Sequence, residues 1–158
     1  TNPVTFPFGY GLSYTTFAYT CVENTLIDGV VDYYADMNVS ITCRVRNTGD
    51  RSGDEVLQVY HMPSEKLRSS LSHPAPLKRL IDYDRVHVPT HSSQTIENSG
   101  GSVVHFEFPV KRLTLTNNNG DKVLYGGTHI LQVTNGNGIG REILYEVQVS
   151  ETTVYPSL

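Results

Sequence analysis

Three aspartates, Asp28, Asp32 and Asp36, recur at every fourth position, and carboxylates gathered on one connection are the hard oxygen donors that Ca²⁺ takes. Their spacing is not that of an EF-hand, and Tyr33-Tyr34 interrupt the polar run, so the segment reads as a solvated link between strands. Six histidines, His61, His73, His87, His91, His105 and His129, form neither a His-x-His nor a His-Glu-x-x-His pattern. Zinc is left without a recognisable ligand set, and each ring reads as a surface or partly satisfied group. Ser13, Ser64, Ser69 and Ser70 lack the context of a nucleophile elbow. Gly136-Asn-Gly-Ile-Gly140 imitates a phosphate cradle, but no helix follows to offer its N-terminus, and it reads as the turn before the last strand. Among ten tyrosines and no tryptophan, Tyr33, Tyr34 and Tyr155 fall outside the core strands, where a ring could stack on a sugar. Without tryptophan this does not amount to a dedicated carbohydrate site. No catalytic, cofactor-binding or metal-ligating residue is assigned, and no cofactor is expected.

The elements that would have to position any chemistry are strands. Short runs of β-branched and aromatic residues alternate with polar ones and are punctuated by Gly, Asn, Asp, Ser and Pro. The pattern predicts strands at 16–22, 39–46, 55–61, 77–87, 102–110, 128–134 and 142–149, with a short one around 111–116 and no long helix. The fold class that follows is all-β, an antiparallel two-sheet sandwich of the immunoglobulin or fibronectin type III kind. The segment 47–54, with two glycines, must reverse the chain tightly or carry it from sheet to sheet. The next strand alternates Val56, Gln58 and Tyr60 with Glu55, Leu57, Val59 and His61. Neither face is cleanly apolar, which suggests an edge position or a strand near a contact with another body.

A length of 158 residues suits one domain with a core of its own. A formal charge of −4, with the basic residues dispersed, offers no footprint for nucleic acid. No run approaches the length of a membrane span, and a retained signal peptide is not recognisable at the N-terminus.

The ribbon Phe6-Pro-Phe-Gly-Tyr-Gly-Leu-Ser-Tyr14 is too aromatic for a solvated terminus. Each large side chain would gain roughly 1.5–3 kcal/mol on burial. Phe6, Phe8, Tyr10, Leu12 and Tyr14 are therefore the candidate partner-docking residues. The chain divides into a connector ribbon, 1–15, and a sandwich, 16–158. Asn38-Val-Ser40 is an N-glycosylation sequon, with Asn38 on the polar phase of its strand opposite Val39, Ile41, Cys43 and Val45. Cys21 and Cys43 lie on the apolar phase of neighbouring strands, which permits a disulfide without requiring one; two small buried thiols fit the same pattern.

The blocks Phe6-Pro-Phe-Gly-Tyr-Gly-Leu-Ser-Tyr-Thr-Thr-Phe17 and Val45-Arg-Asn-Thr-Gly-Asp-Arg-Ser-Gly-Asp-Glu-Val-Leu-Gln-Val-Tyr60 are followed by Pro76-Leu-Lys-Arg-Leu80, Val86-His-Val88 and Gly126-Gly-Thr-His-Ile-Leu-Gln-Val133. In that order they resemble the C-terminal fibronectin type III-like domain of glycoside hydrolase family 3, over nearly the whole chain. The resemblance implies exo-acting β-glucosidases and β-xylosidases that retain configuration through a carboxylate nucleophile and a separate acid. It places the nucleophile in an N-terminal barrel and the acid in an α/β domain, both upstream of this sequence, so no Asp or Glu here inherits either role. Leu80-Ile-Asp-Tyr83 departs from the family's Leu-Lys-Gly-Phe, and 88–101 replaces a short turn with a longer polar loop.

Two functions are then expected to compete. In one, the chain is an extracellular accessory domain that braces upstream catalytic domains through its ribbon. In the other it is a free-standing structural subunit that docks the ribbon into a partner or another copy, head to tail, and so assembles rings or filaments.

Overall fold

A computed structural model describes residues 5–6, 8–23, 32–90, 101–136 and 142–156. Its strands are β1 (Phe17–Glu23), β2 (Asp32–Tyr33), β3 (Asn38–Asn47), β4 (Gly53–Pro63), β5 (Arg79–Val88), β6 (Ser102–Pro109), β7 (Leu115–Thr116), β8 (Lys122–Leu124), β9 (Gly127–Thr134), β10 (Ile143–Val149) and β11 (Thr153–Tyr155). One short helix, α1 (Glu65–Ser70), lies between β4 and β5. One layer is the sheet β1-β3-β6 and the other β2-β10-β9-β4-β5, with a small third sheet β11-β8-β7. All pairings are antiparallel except β2 with β10.

The two layers are sealed by the apolar phase of each strand. Along β3, Val39, Ile41, Cys43 and Val45 are fully buried while the residues between them face outward. They meet Phe106 and Phe108 of β6 and, from the opposite layer, Leu57 and Val59 of β4 and Leu131 and Val133 of β9. The seven long strands expected from the alternation are all present. The 47–54 segment carries the chain from β3 in one sheet to β4 in the other, the second of the two routes open to it.

Other expectations are corrected. β4 is no edge strand: β9 and β5 flank it. Its pattern is mixed because both faces are covered. Leu57 and Val59 face the core, while Gln58 and Tyr60 on the outer face are also buried. The N-terminal ribbon reaches Gln58 at Gly9, and the Lys78 ammonium sits 4.0 Å from the centre of the Tyr60 ring. The 111–116 segment is not one strand. Pro109 ends β6, and a 3-10 turn over Val110–Leu113 buries Val110 and Leu113 together, as side chains three apart do in that helix. Only Leu115–Thr116 pairs as a strand. α1 starts where Ser64 Oγ accepts from Leu67 N–H at 3.1 Å, with Glu65 in its first turn and Leu67 buried.

A surface or partly satisfied ring is expected at each histidine, and the described histidines divide between exposed and buried positions. His61 and His129 are fully buried on the inner face of β4 and β9, and His73 is buried as well, its Nε2 2.7 Å from Tyr125 Oη. His129 Nε2 lies 2.9 Å from the Tyr125 carbonyl, so it carries the proton and donates. Its Nδ1 is then an acceptor for His61 Nε2–H at 2.8 Å, which leaves His61 Nδ1 as a buried lone pair without a partner among the described residues. Burial pushes both rings down in pKa; for His61, desolvation, His129 and Arg79 together bring the value to about 2.

Candidate functional site

The ribbon is fastened by its backbone and its small residues. Thr15 Oγ1 donates to Asn47 Oδ1 at 2.7 Å, and the Thr16 carbonyl accepts from Thr48 N–H at 2.8 Å and from Thr48 Oγ1 at 3.0 Å. Asn47 is the fully buried hub of this anchorage. Its Oδ1 also accepts from Gly49 N–H at 3.0 Å, and its Nδ2 donates to the carbonyls of Arg51, at 2.6 Å, and Val88, at 3.3 Å. Farther along, Gly9 has φ +84°, and a Cβ there would overlap the Gln58 side-chain amide. Gly136, at φ +73°, lies equally close to the ribbon, with Phe8 O 3.1 Å from where its Cβ would stand. Glycine alone fits both conformation and clearance.

The rings, by contrast, face outward. Phe6 is 63 % exposed, Phe8 73 %, Leu12 90 % and Tyr14 93 %; Tyr10, at 38 %, leans on Phe6 with ring centres 4.8 Å apart. Among the described residues none of these five enters the sandwich core. Tyr83 and Leu144, on the same outer face of the larger sheet, are exposed as well. Such a concentration of large apolar groups on one side marks a surface that gains from being covered.

Between the ribbon and β4 lies an open cavity of about 400 Å³, lined among others by Tyr10, Ser13, Asp54, Glu55 and Asn135. Asp54 is bracketed by Arg85, with Nη2 at 2.6 Å and Nε at 2.9 Å from Oδ2, and by His87, with Nδ1 at 2.6 Å from Oδ1. Hydrogen bonds from His87 and Arg85 hold its carboxyl below the ordinary range. Glu55 goes the other way: burial raises it, against donation from Val56 N–H at 2.9 Å and Asn135 Nδ2 at 3.3 Å. Each carboxylate is thus occupied within the chain. Paired carboxylates flanking a glycosidic bond act as acid and as nucleophile or base; here hydrogen bonds within the chain engage both.

Asn38 opens β3, is exposed, and donates from Nδ2 to Glu107 Oε1 at 3.1 Å. Cys21 and Cys43 sit directly opposite in the β1–β3 register and are joined as a disulfide, which decides between the two readings of the pair. Of the tyrosines set aside for sugar stacking, Tyr33 is fully buried and cannot serve, Tyr34 is exposed, and Tyr155 packs partly against the core. Asp28 and residues 91–100 of the longer polar loop, His91 among them, lie outside the described residues, as do 137–140 of the glycine-rich turn. Among the described residues no group of three or more His, Cys, Asp and Glu is placed to hold a metal, and no helix is long and apolar enough to cross a membrane. The anchoring roles of Asn47, Gln58 and Asn135 escaped the sequence. The only hint was polar residues inside apolar alternation, and their partners come from segments far apart in the chain.

No family model matches the chain. A β-glucosidase of Kluyveromyces marxianus is 38 % identical over 94 residues, a match spanning 59 % of this chain and 10 % of that protein. A β-xylosidase of Formosa agariphila is 30 % identical over 131 residues, spanning 81 % of this chain and 15 % of the relative. The solved structure of β-glucosidase 3B from Thermotoga neapolitana in complex with α-D-glucose superposes with a TM-score of 0.70 and 27 % identity, over 97 % of this chain and 18 % of that one. The chain therefore corresponds to a minor fraction of each of these proteins.

Proposed function

The chain belongs to the C-terminal fibronectin type III-like domains of glycoside hydrolase family 3, and from that premise we propose that it is an accessory body that braces the catalytic domains of a longer polypeptide. The activity of that polypeptide, in this reading, is the retaining release of terminal β-linked glucose or xylose, carried out by residues outside this sequence. The observation that carries the accessory role is the division of labour within the ribbon. Its backbone is tied to the sandwich through Asn47 and Thr48, while Phe8, Leu12 and Tyr14 stand in solvent. A strip fixed on one side and apolar on the other suits the seam between two packed bodies. Its outward side chains do nothing for the stability of the sandwich by themselves.

The test is the double substitution Phe8→Ala/Tyr14→Ala, made both in the full polypeptide and in the isolated domain. The isolated domain is expected to change by no more than about 0.5 kcal/mol, as for surface positions. In the full polypeptide the same change empties a buried seam, at about 3–5 kcal/mol for the Phe→Ala alone, read as a lower inactivation temperature of glycosidase activity with unaltered kcat at low temperature. Equal behaviour of the full polypeptide with and without the substitutions would end the bracing proposal.

A further inference from the structure

We infer that Asn38 is an N-glycosylation site and that the chain matures in an oxidising, extracytoplasmic compartment. Asn38-Val39-Ser40 is the one Asn-x-Ser/Thr sequence in the chain. Many such tripeptides are ruled out by burial; here Asn38 is exposed at the first position of β3, on the outer face of the smaller sheet, while Val39 beside it points into the core. A glycan leaving this face meets polar neighbours: Glu107 on β6, and farther along Thr42 and His105, whose side chains bond each other at 2.7 Å. The amide carries two hydrogens. One bonds Glu107 Oε1, and glycosylation replaces only one, so the contact survives modification.

A second, independent feature points to the same compartment: the disulfide between Cys21 and Cys43, which ties the edge strand β1 to β3 in the same sheet. Such bonds form where thiols are not kept reduced, and that is where glycan transfer takes place. In the transfer, Asn38 Nδ2 attacks C1 of the reducing-end sugar of a lipid diphosphate-linked oligosaccharide. The N–C1 bond forms, the C1–O bond to the diphosphate breaks, the lipid diphosphate leaves, and the amide proton passes to solvent. The site also avoids the ribbon. Asn38 and the anchor at Asn47 are the two ends of β3, about 30 Å apart at the usual rise of an extended strand, and the ribbon crosses the outer face of the other sheet.

The test is peptide mapping of the intact polypeptide purified from its source, with peptide-N-glycosidase digestion in ¹⁸O water. The expected result is a heavy-oxygen aspartate at position 38 in the treated sample. An unmodified Asn38 in the mature protein overturns the inference. As a second measurement, Ser40→Ala is expected to lower the intact mass by that of one N-glycan, while Ser40→Thr, which keeps the sequon, retains the glycan. Retention of the full mass in Ser40→Ala would place the modification elsewhere and equally overturn the assignment.

Discussion

Asn47 uses its whole side-chain capacity, accepting from Thr15 and Gly49 and donating to the carbonyls of Arg51 and Val88. Removing it strands several polar groups at once in a site only partly open to solvent. Asn47→Ala is expected to cost about 2–3 kcal/mol, and Asn47→Asp more, since a buried carboxylate would face two carbonyls it cannot donate to. Urea denaturation midpoints of the domain check both. Gly9 offers a sharper probe of the ribbon's course. Gly9→Ala imposes a left-handed backbone on a residue with a Cβ, at about 1–2 kcal/mol, and drives that Cβ into the Gln58 amide, which Tyr60 Oη–H already holds at 2.8 Å. The ribbon is expected to lift from β4, seen as faster amide exchange at 8–13, with the sandwich core unchanged. The aromatic character of the ribbon was legible in the sequence because it is a property of residue type. Asn47 was not, because its meaning lies in partners 32, 4 and 41 positions away.

The long strands were readable because each spans enough residues for period-two alternation to show, as in β3 and β6. β2, β8 and β11 run to two or three residues, too short to carry any period, and they exist through pairing alone. The histidine pair escaped for another reason: His61 and His129 occupy inward positions that would ordinarily hold apolar residues, and their mutual hydrogen bond together with the bond from His129 to the Tyr125 carbonyl makes the burial tolerable. This pairing has a consequence for acid stability. A histidine whose folded pKa lies below its unfolded value of about 6.5 adds stability that is complete above that pH and is withdrawn as pH falls toward the folded value. For His61 that window runs from about 6.5 down to about 2, and His129 acts in the same direction. Each ring held neutral contributes a slope of about 1.4 kcal/mol per pH unit below the unfolded pKa. Unfolding free energies between pH 6 and pH 4 are expected to fall steeply, and His61→Gln, whose amide can still donate to His129, to remove one such increment from the slope. The disulfide acts on another element. It closes a loop with a sequence separation of 22 residues, and Cys21→Ala/Cys43→Ala is expected to cost about 3 kcal/mol, with β1 exchanging first because it is an edge strand whose one strand partner is β3.

For the molecule in its full polypeptide, the character of the uncovered surface sets the physics of docking. The ribbon's outward groups carry no charge, so their burial draws on the apolar term rather than on ion pairing. Raising NaCl from about 0.05 to about 0.5 M shortens the screening length from more than 10 Å to less than half of that; a seam built on these residues is expected to hold its inactivation temperature across that range, whereas a decline would point to charges such as Arg85 and Asp54 as the true contacts. The same geometry has a cost when the neighbour is absent. Since Phe8, Leu12 and Tyr14 contribute nothing to holding the sandwich together, a domain cut loose by proteolysis would stay folded, with its thermal transition intact, while becoming adhesive. Its failure would be one of colloidal behaviour: clustering that grows with concentration, from a native monomer that any assay of foldedness would pass as sound.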